Sequence, residues 1–158
     1  MNALASRIGK QLKAKRARLV TAESCTGGWI SQAVTAVGGS SDWFERGFVT
    51  YSNAAKREML GVKKKTLEKH GAVSEETARE MASGALRKSH GTVAVAVTGV
   101  AGPTGGSAAK PVGMVCFAWA TKRGLWSETR RFRGNRASVR RQSVAHALKG
   151  VLALAVGG

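Results

Sequence analysis

Aspartate is nearly absent from this sequence, since Asp42 is the one aspartate among 9 acidic residues. This shortage argues against EF-hands and against magnesium or calcium sites built from several aspartates. Cysteine is also scarce: Cys25 and Cys116 lie far apart in the chain, and the 3 histidines show no metal-ligand spacing. We therefore expect no zinc cluster, no other metal site and no cofactor.

Long apolar runs are missing as well. No stretch approaches the roughly 20 residues that a membrane-spanning helix needs, and residues 1–18 carry basic side chains where a secretory signal would be apolar. Two cysteines without a signal give no disulfide framework, so we expect a cytoplasmic protein that makes no membrane contact. The 158 residues, 43% of them apolar, predict a single domain spanning residues 1–158.

Acidic residues as a class are outnumbered by basic ones. The chain has 26 lysines and arginines against 9 acids, which gives a net charge of +17 and predicts an anionic partner or substrate. Clusters at residues 63–65 and 130–141 make a nucleic-acid-binding module one hypothesis. However, we find no zinc finger, RNP-type aromatic strand or recognition helix. We therefore expect nucleic acid to bind only non-specifically, if at all.

Helical and strand patterns alternate along the chain. Leu4, Ile8 and Leu12 recur every four residues, as on one buried face of a helix, and residues 92–98 (TVAVAVT) form a typical buried strand. Other strands are predicted at residues 18–22, 46–52, 114–121 and 125–133, the last two as a hairpin. Other helices are predicted at residues 29–37, at 54–60 with Asn53 as N-cap, after Ser74, and at 135–154. This order predicts an α/β fold, a three-layer sandwich with a mixed, mostly parallel sheet flanked by helices.

Three polar segments follow or end predicted strands: residues 21–28 (TAESCTGG), 46–56 (RGFVTYSNAAK) and 98–113 (TGVAGPTGGSAAKPVG). Ligands of open α/β sheets bind outside the carboxyl ends of the strands, so we expect these segments to form one site. Gly27 and Gly28 favour a strand–turn–helix arrangement that aims backbone N–H groups at an anion.

Ser24 in this turn is a candidate nucleophile, and Lys56, one helical turn beyond a strand end, is the better candidate base. A Ser-His-Asp triad would need Asp42 and one of three histidines that lie outside the three segments (His70, His90 and His146). Ser24 could also be only an N-cap, and Cys25 is more typical of a small packing residue than of a nucleophile. The residues by themselves also leave open that the protein is a serine amidase or peptidase that acts on another substrate.

The three segments, together with residues 40–47, 70–74 and 136–142, resemble the CinA C-terminal domain family and its stand-alone nicotinamide-nucleotide amidases. The resemblance covers almost the whole chain. It implies metal-free hydrolysis of nicotinamide mononucleotide to nicotinate mononucleotide and ammonia, in pyridine nucleotide salvage. Ser24, Lys56 and Tyr51 fall on the family's catalytic serine, lysine and assisting tyrosine. Thr104 departs from the acid that we expect in many relatives.

We also expect a homo-oligomer, with a dimer as the first candidate. The residues expected to bind the substrate lie in the glycine-containing turns and at the helix starts. They are Glu23, Cys25, Thr26, Gly27, Gly28, Ser40, Asn53, Thr98, Gly99, Gly102 and Arg141.

Overall fold

The computed structural model describes residues 1–157 and contains a five-stranded sheet in the order β2-β1-β3-β4-β5. The strands are β1 (Leu19–Glu23), β2 (Phe44–Val49), β3 (Val93–Gly99), β4 (Met114–Thr121) and β5 (Gly124–Arg131). The helices are α1 (Asn2–Ala14), α2 (Trp29–Thr35), α3 (Asn53–Leu60), α4 (Lys64–His70), α5 (Glu75–Arg87) and α6 (Arg136–Gly157). A 3₁₀ turn, Ser40–Asp42, precedes β2.

The sheet is mixed, as predicted. β1 pairs in parallel with β2 and β3, whereas β3–β4 and β4–β5 are antiparallel pairs. Parallel and antiparallel pairs are therefore equal in number, although β4 is the one strand that runs against the others. The predicted hairpin is confirmed, with Thr121 opposite Gly124 at its turn.

Alternating side chains on the strands build a core on each face of the sheet, which confirms the three layers. Val95 and Val97 of β3 lie in the core with α1, α2 and α6, whereas Ala94 and Ala96 lie in the core with α3 and α5. Because Ala94 and Ala96 are small, α5 can pack closely against that face of the sheet. Gly84 of α5 packs just as closely on α3, since an added Cβ would lie 1.9 Å from the Leu60 carbonyl oxygen.

Local boundaries differ from the sequence prediction in two places. The N-cap of α3 is Ser52 rather than Asn53: Ser52 has extended backbone and its hydroxyl accepts from the Ala55 N–H, so Asn53 becomes the first helical residue. Helix α4 was not predicted at all, because none of its residues is buried and it therefore has no apolar periodicity. The N-cap Ser74 is confirmed, since it accepts from the Thr77 N–H.

The topology brings three strand ends together. Because β1, β2 and β3 are mutually parallel, their carboxyl ends at Glu23, Val49 and Gly99 share one edge of the sheet. The glycine-rich segment after β3, residues 100–113, contains neither helix nor strand. No helix within residues 1–157 is both long enough and apolar enough to cross a bilayer.

Candidate active site

The turn that carries Ser24 connects the end of β1 to the start of α2. The Ser24 N–H donates to the Val97 carbonyl at 3.0 Å, which anchors the turn to β3. Gly27 and Gly28 have φ values of +58° and +103°, a left-handed backbone that other residues rarely adopt. The predicted strand–turn–helix arrangement is confirmed, and the two glycines explain how the chain reverses within so few residues.

Lys56 meets Ser24 at this turn. Helix α3 starts directly after the strand-end segment, and its first turn carries Lys56 into the protein, where the side chain is 1% exposed. Lys56 Nζ lies 3.0 Å from Ser24 Oγ and donates to the Tyr51 carbonyl at 3.0 Å. Ser24 itself is 8% exposed. A hydroxyl and an amine from positions 32 residues apart thus form a hydrogen-bonded pair.

Burial shifts the pKa values of Lys56 and of the neighbouring Cys25 in opposite directions. Removal from water lowers the pKa of Lys56 from its ordinary value of 10.5, because desolvation disfavours the ammonium form. No salt bridge to Lys56 occurs among the described residues. Desolvation also raises the pKa of the Cys25 thiol to about 12, so this thiol is protonated near neutrality. The chemistry of the turn therefore favours Ser24 over Cys25 as nucleophile.

Tyr51 has two separate contacts. Its carbonyl accepts from Lys56 and, at 3.4 Å, from the Ser24 hydroxyl. Its side chain is exposed, and its hydroxyl accepts from Arg136 Nη2 at 3.2 Å. The backbone of Tyr51 thus contacts the Ser24–Lys56 pair, while its phenol points to a cationic side chain.

A cavity of about 270 Å³ opens beside Ser24 and Lys56. All three predicted segments contribute to its wall, so the expectation that they form one site is met. The predicted residues that line it are Ser24, Cys25, Tyr51, Asn53, Lys56, Thr98, Gly99 and Gly102. Ala72, Val73, Val100, Ala101, Thr104, Gly105 and Arg136 complete the lining, which contains no carboxylate.

Four further predicted residues support the turn without lining the cavity: Glu23, Thr26, Gly27 and Gly28. The Glu23 carboxylate is fully buried and accepts from the Ile30 and Ser31 N–H groups and from the Thr26 and Ser31 hydroxyls. With both oxygens already occupied, this carboxylate has a structural position rather than a substrate-facing one.

Ser40 and Arg141 lie elsewhere. Ser40 begins the 3₁₀ turn before β2, and Arg141 is an exposed residue of α6; neither lines the cavity. The arginine at the cavity is Arg136, which also donates to the Gly102 carbonyl at 2.9 Å. No signal in the sequence distinguishes Arg136 from Arg140 and Arg141, because all three lie on α6 and have the same chemistry.

A larger groove, of about 750 Å³, lies at the opposite end of the sheet, where it is bordered by Val93, Thr121, Trp126 and the end of α6. Its threonine hydroxyls, Thr92 and Thr121, contact only backbone groups and no lysine amine within residues 1–157. The larger volume therefore does not by itself mark a catalytic site. Within residues 1–157, no group of three or more His, Cys, Asp and Glu side chains is arranged to hold a metal ion.

Comparison with known proteins gives consistent results. The CinA C-terminal domain model matches residues 1–155. The nicotinamide-nucleotide amidohydrolase PncC of Escherichia coli (strain K12) is 54% identical over 147 residues, covering 92% of this chain and 89% of the relative. The protein of the same name from Pseudomonas putida is 53% identical over 151 residues, covering 96% and 94%.

Among solved structures, the competence/damage-inducible protein CihA from Agrobacterium tumefaciens superimposes with a TM-score of 0.95 at 48% identity. The match covers 97% of this chain and 94% of that one. Sequence and fold agree over nearly the full length, including all three segments of the cavity. The chain therefore belongs to the CinA C-terminal domain family.

Proposed function

We propose that this chain hydrolyses the carboxamide of nicotinamide mononucleotide, with Ser24 as nucleophile and Lys56 as general base. The observation that carries the proposal is the 3.0 Å contact between Ser24 Oγ and the buried Lys56 amine, whose pKa is lowered by desolvation. A neutral amine at hydrogen-bond distance can take the hydroxyl proton as Ser24 attacks. The names of the relatives, nicotinamide-nucleotide amidohydrolases, supply the substrate class.

The reaction is an acyl transfer in two steps. Ser24 Oγ bonds to the carboxamide carbon, Lys56 accepts the serine proton and passes it to the amide nitrogen, and ammonia leaves when the C–N bond breaks. Water, activated by the same amine, then breaks the ester bond and releases nicotinate mononucleotide and Ser24. The positive pyridinium ring makes the carbonyl carbon more electrophilic, and the Tyr51 carbonyl keeps the Lys56 amine oriented.

The cavity suits a small anion. Its volume of about 270 Å³ is at the lower end of ligand pockets, which favours a mononucleotide over a dinucleotide. Ala101, Gly102, Thr104 and Gly105 line it, and their backbone N–H groups have no acceptor among the residues described. Together with the Arg136 guanidinium they can bind a phosphate. The substrate's phosphate therefore belongs at the loop after β3, with its pyridine ring toward Ser24.

The direct test is an assay of ammonia release from nicotinamide mononucleotide by the purified protein, with and without EDTA. We expect turnover that is unchanged by the chelator, because the proposed groups are a hydroxyl and an amine. Absence of ammonia would refute the substrate assignment. Loss of activity on chelation that zinc or magnesium restores would instead refute the metal-free mechanism.

Replacement of Arg136 by methionine is expected to raise KM for nicotinamide mononucleotide by about 10-fold or more, with a much smaller change in kcat. An ion-paired hydrogen bond to phosphate contributes about 1.5–3 kcal/mol, and this contact is made equally in ground and transition states. Steady-state kinetics with nicotinamide mononucleotide and with nicotinamide riboside, which lacks the phosphate, measure the effect.

Arg133→Met is the matched control, because Arg133 is exposed and absent from the cavity wall. It should leave KM for both substrates unchanged. If Arg136→Met impaired the riboside and the mononucleotide equally, the assignment of Arg136 to the phosphate would be wrong.

A further inference from the structure

Two charged side chains that do not line the cavity, Glu23 and Arg140, bind the Ser24 turn and its flanks. The first is the Glu23 carboxylate, which accepts from the Thr26 hydroxyl at 2.6 Å and from the Ile30 N–H at 2.8 Å. These bonds tie the end of β1 to the first turn of α2. They restrain the two ends of the segment that contains Ser24.

The second charged side chain is Arg140 of α6. Its Nε donates to the Cys25 carbonyl and its Nη2 to the Thr26 carbonyl, both at 3.1 Å. The guanidinium carbon lies 5.4 Å from the centre of the Trp29 ring, a cation–π distance. Arg140 thus contacts two consecutive carbonyls directly after the nucleophile, from a helix more than 110 residues further along the chain.

These contacts fix the orientation of the peptide groups next to Ser24. In a trans peptide the C=O and N–H bonds point in opposite directions, so holding the Cys25 carbonyl toward Arg140 turns the Thr26 N–H away from it. The Thr26 N–H has no acceptor among residues 1–157. A guanidinium on the carbonyl oxygen also polarises that peptide group, which makes its N–H a stronger donor.

We infer that Arg140 is a positioning residue for the acyl transfer: it holds the Cys25 and Thr26 peptide groups so that Ser24 and the adjacent N–H donors keep their reactive arrangement. The inference rests on the proposed role of Ser24. Arg140 acts through the turn and not on the substrate, so its loss should lower kcat and leave KM nearly unchanged. A 1 Å displacement of a reacting group can cost about 100-fold in rate.

Arg140→Met is the first variant, because methionine keeps the apolar contact with Trp29 and removes every donor. We expect kcat for nicotinamide mononucleotide to fall about 100-fold with KM within about threefold. Arg140→Lys should recover part of the rate, since one ammonium can reach a carbonyl but cannot reproduce the two-pronged contact. Lys149→Met, at an exposed position of the same helix, is the control and should match wild type.

A second readout needs no nicotinamide substrate. A fluorophosphonate reacts with Ser24 by forming an O–P bond as the P–F bond breaks; fluoride leaves and Lys56 takes the serine proton. We expect labelling of Ser24 to slow in Arg140→Met to a similar degree as kcat. The labelling rate tests Arg140 even if nicotinamide mononucleotide is not hydrolysed, so failure of the substrate assignment remains distinguishable.

Three outcomes would overturn the inference. One is a large rise in KM with kcat preserved, which would make Arg140 a substrate ligand. Another is labelling of Ser24 at the wild-type rate in Arg140→Met. The third is equal kcat for the methionine and lysine variants when both melt at the wild-type temperature, because restoring one donor would then restore nothing.

Discussion

Replacement of Ser24 by alanine is expected to reduce ammonia release from nicotinamide mononucleotide by at least about 1,000-fold, since loss of a nucleophile removes the covalent pathway itself. The side chain is small and makes only one long hydrogen bond besides its contact with Lys56, so the fold should survive. Steady-state assay of ammonia, with circular dichroism to confirm folding, measures the effect. KM is not informative for so slow a variant, so kcat is the quantity to compare.

Cys25→Ala is the matched variant, one residue further along the same turn. Burial raises the pKa of the Cys25 thiol to about 12, so little thiolate exists near neutrality, and we expect kcat within about threefold of wild type. For the same reason iodoacetamide should inactivate the folded enzyme slowly. An active Ser24→Ala protein beside an inactive Cys25→Ala protein would identify the thiol as the nucleophile and contradict our assignment.

Much of the site was predictable from the sequence because strand order sets geometry. The sequence of β3 is that of a buried strand, and β1 and β2 end in polar or glycine-containing segments. This pattern predicts that the carboxyl ends of the three strands meet at one crevice. That rule places Ser24 and Lys56 near each other although they are 32 residues apart. The hairpin of β4 and β5 was equally predictable from two β-rich runs with a short turn between them.

The arginines show what sequence could not provide. Arg136, Arg140 and Arg141 have the same chemistry and lie within six residues, so only the orientation of α6 distinguishes them. Arg136 lines the cavity, Arg140 contacts the Ser24 turn and Arg141 is exposed. That orientation follows from packing of Val139, Ser143 and other buried residues of α6, which is a tertiary property.

Glu23 illustrates a second limit. A carboxylate next to a serine in a sequence motif fits substrate binding as well as structure, and only the four donors that converge on its two oxygens decide between them. Helix α4 shows the converse, since a solvent-exposed helix has no hydrophobic pattern to detect. Sequence reasoning thus located the Ser24–Lys56 pair better than the side chains that contact the turn around it.

Loss of the Lys56 amine is expected to reduce kcat as severely as loss of Ser24, because two groups that act as one unit are each indispensable. Lys56→Met fills the same buried space without a base. Lys56→Arg keeps a cation but cannot give up its proton, so it should be equally inactive. Lys65→Met, at an exposed position of α4, should retain full activity. An active Lys56→Arg protein would show that charge, and not proton transfer, is what this position supplies.

The pH dependence provides an independent test of Lys56, in both rate and stability. Only the neutral amine is a base, so kcat/KM should rise with pH through the folded-state pKa of Lys56, which burial holds below 10.5.

The stability of the fold depends on the same titration. Below the folded-state pKa, the Lys56 amine is protonated in both the folded and the unfolded protein. Between that pKa and pH 10.5 the amine is protonated only in the unfolded chain. The free energy of unfolding should therefore increase with pH in this range, by up to about 1.4 kcal/mol per pH unit. Urea unfolding across this window should show the increase in wild type and in Ser24→Ala but not in Lys56→Met. An identical slope in Lys56→Met would mean that the buried amine is not the titrating group.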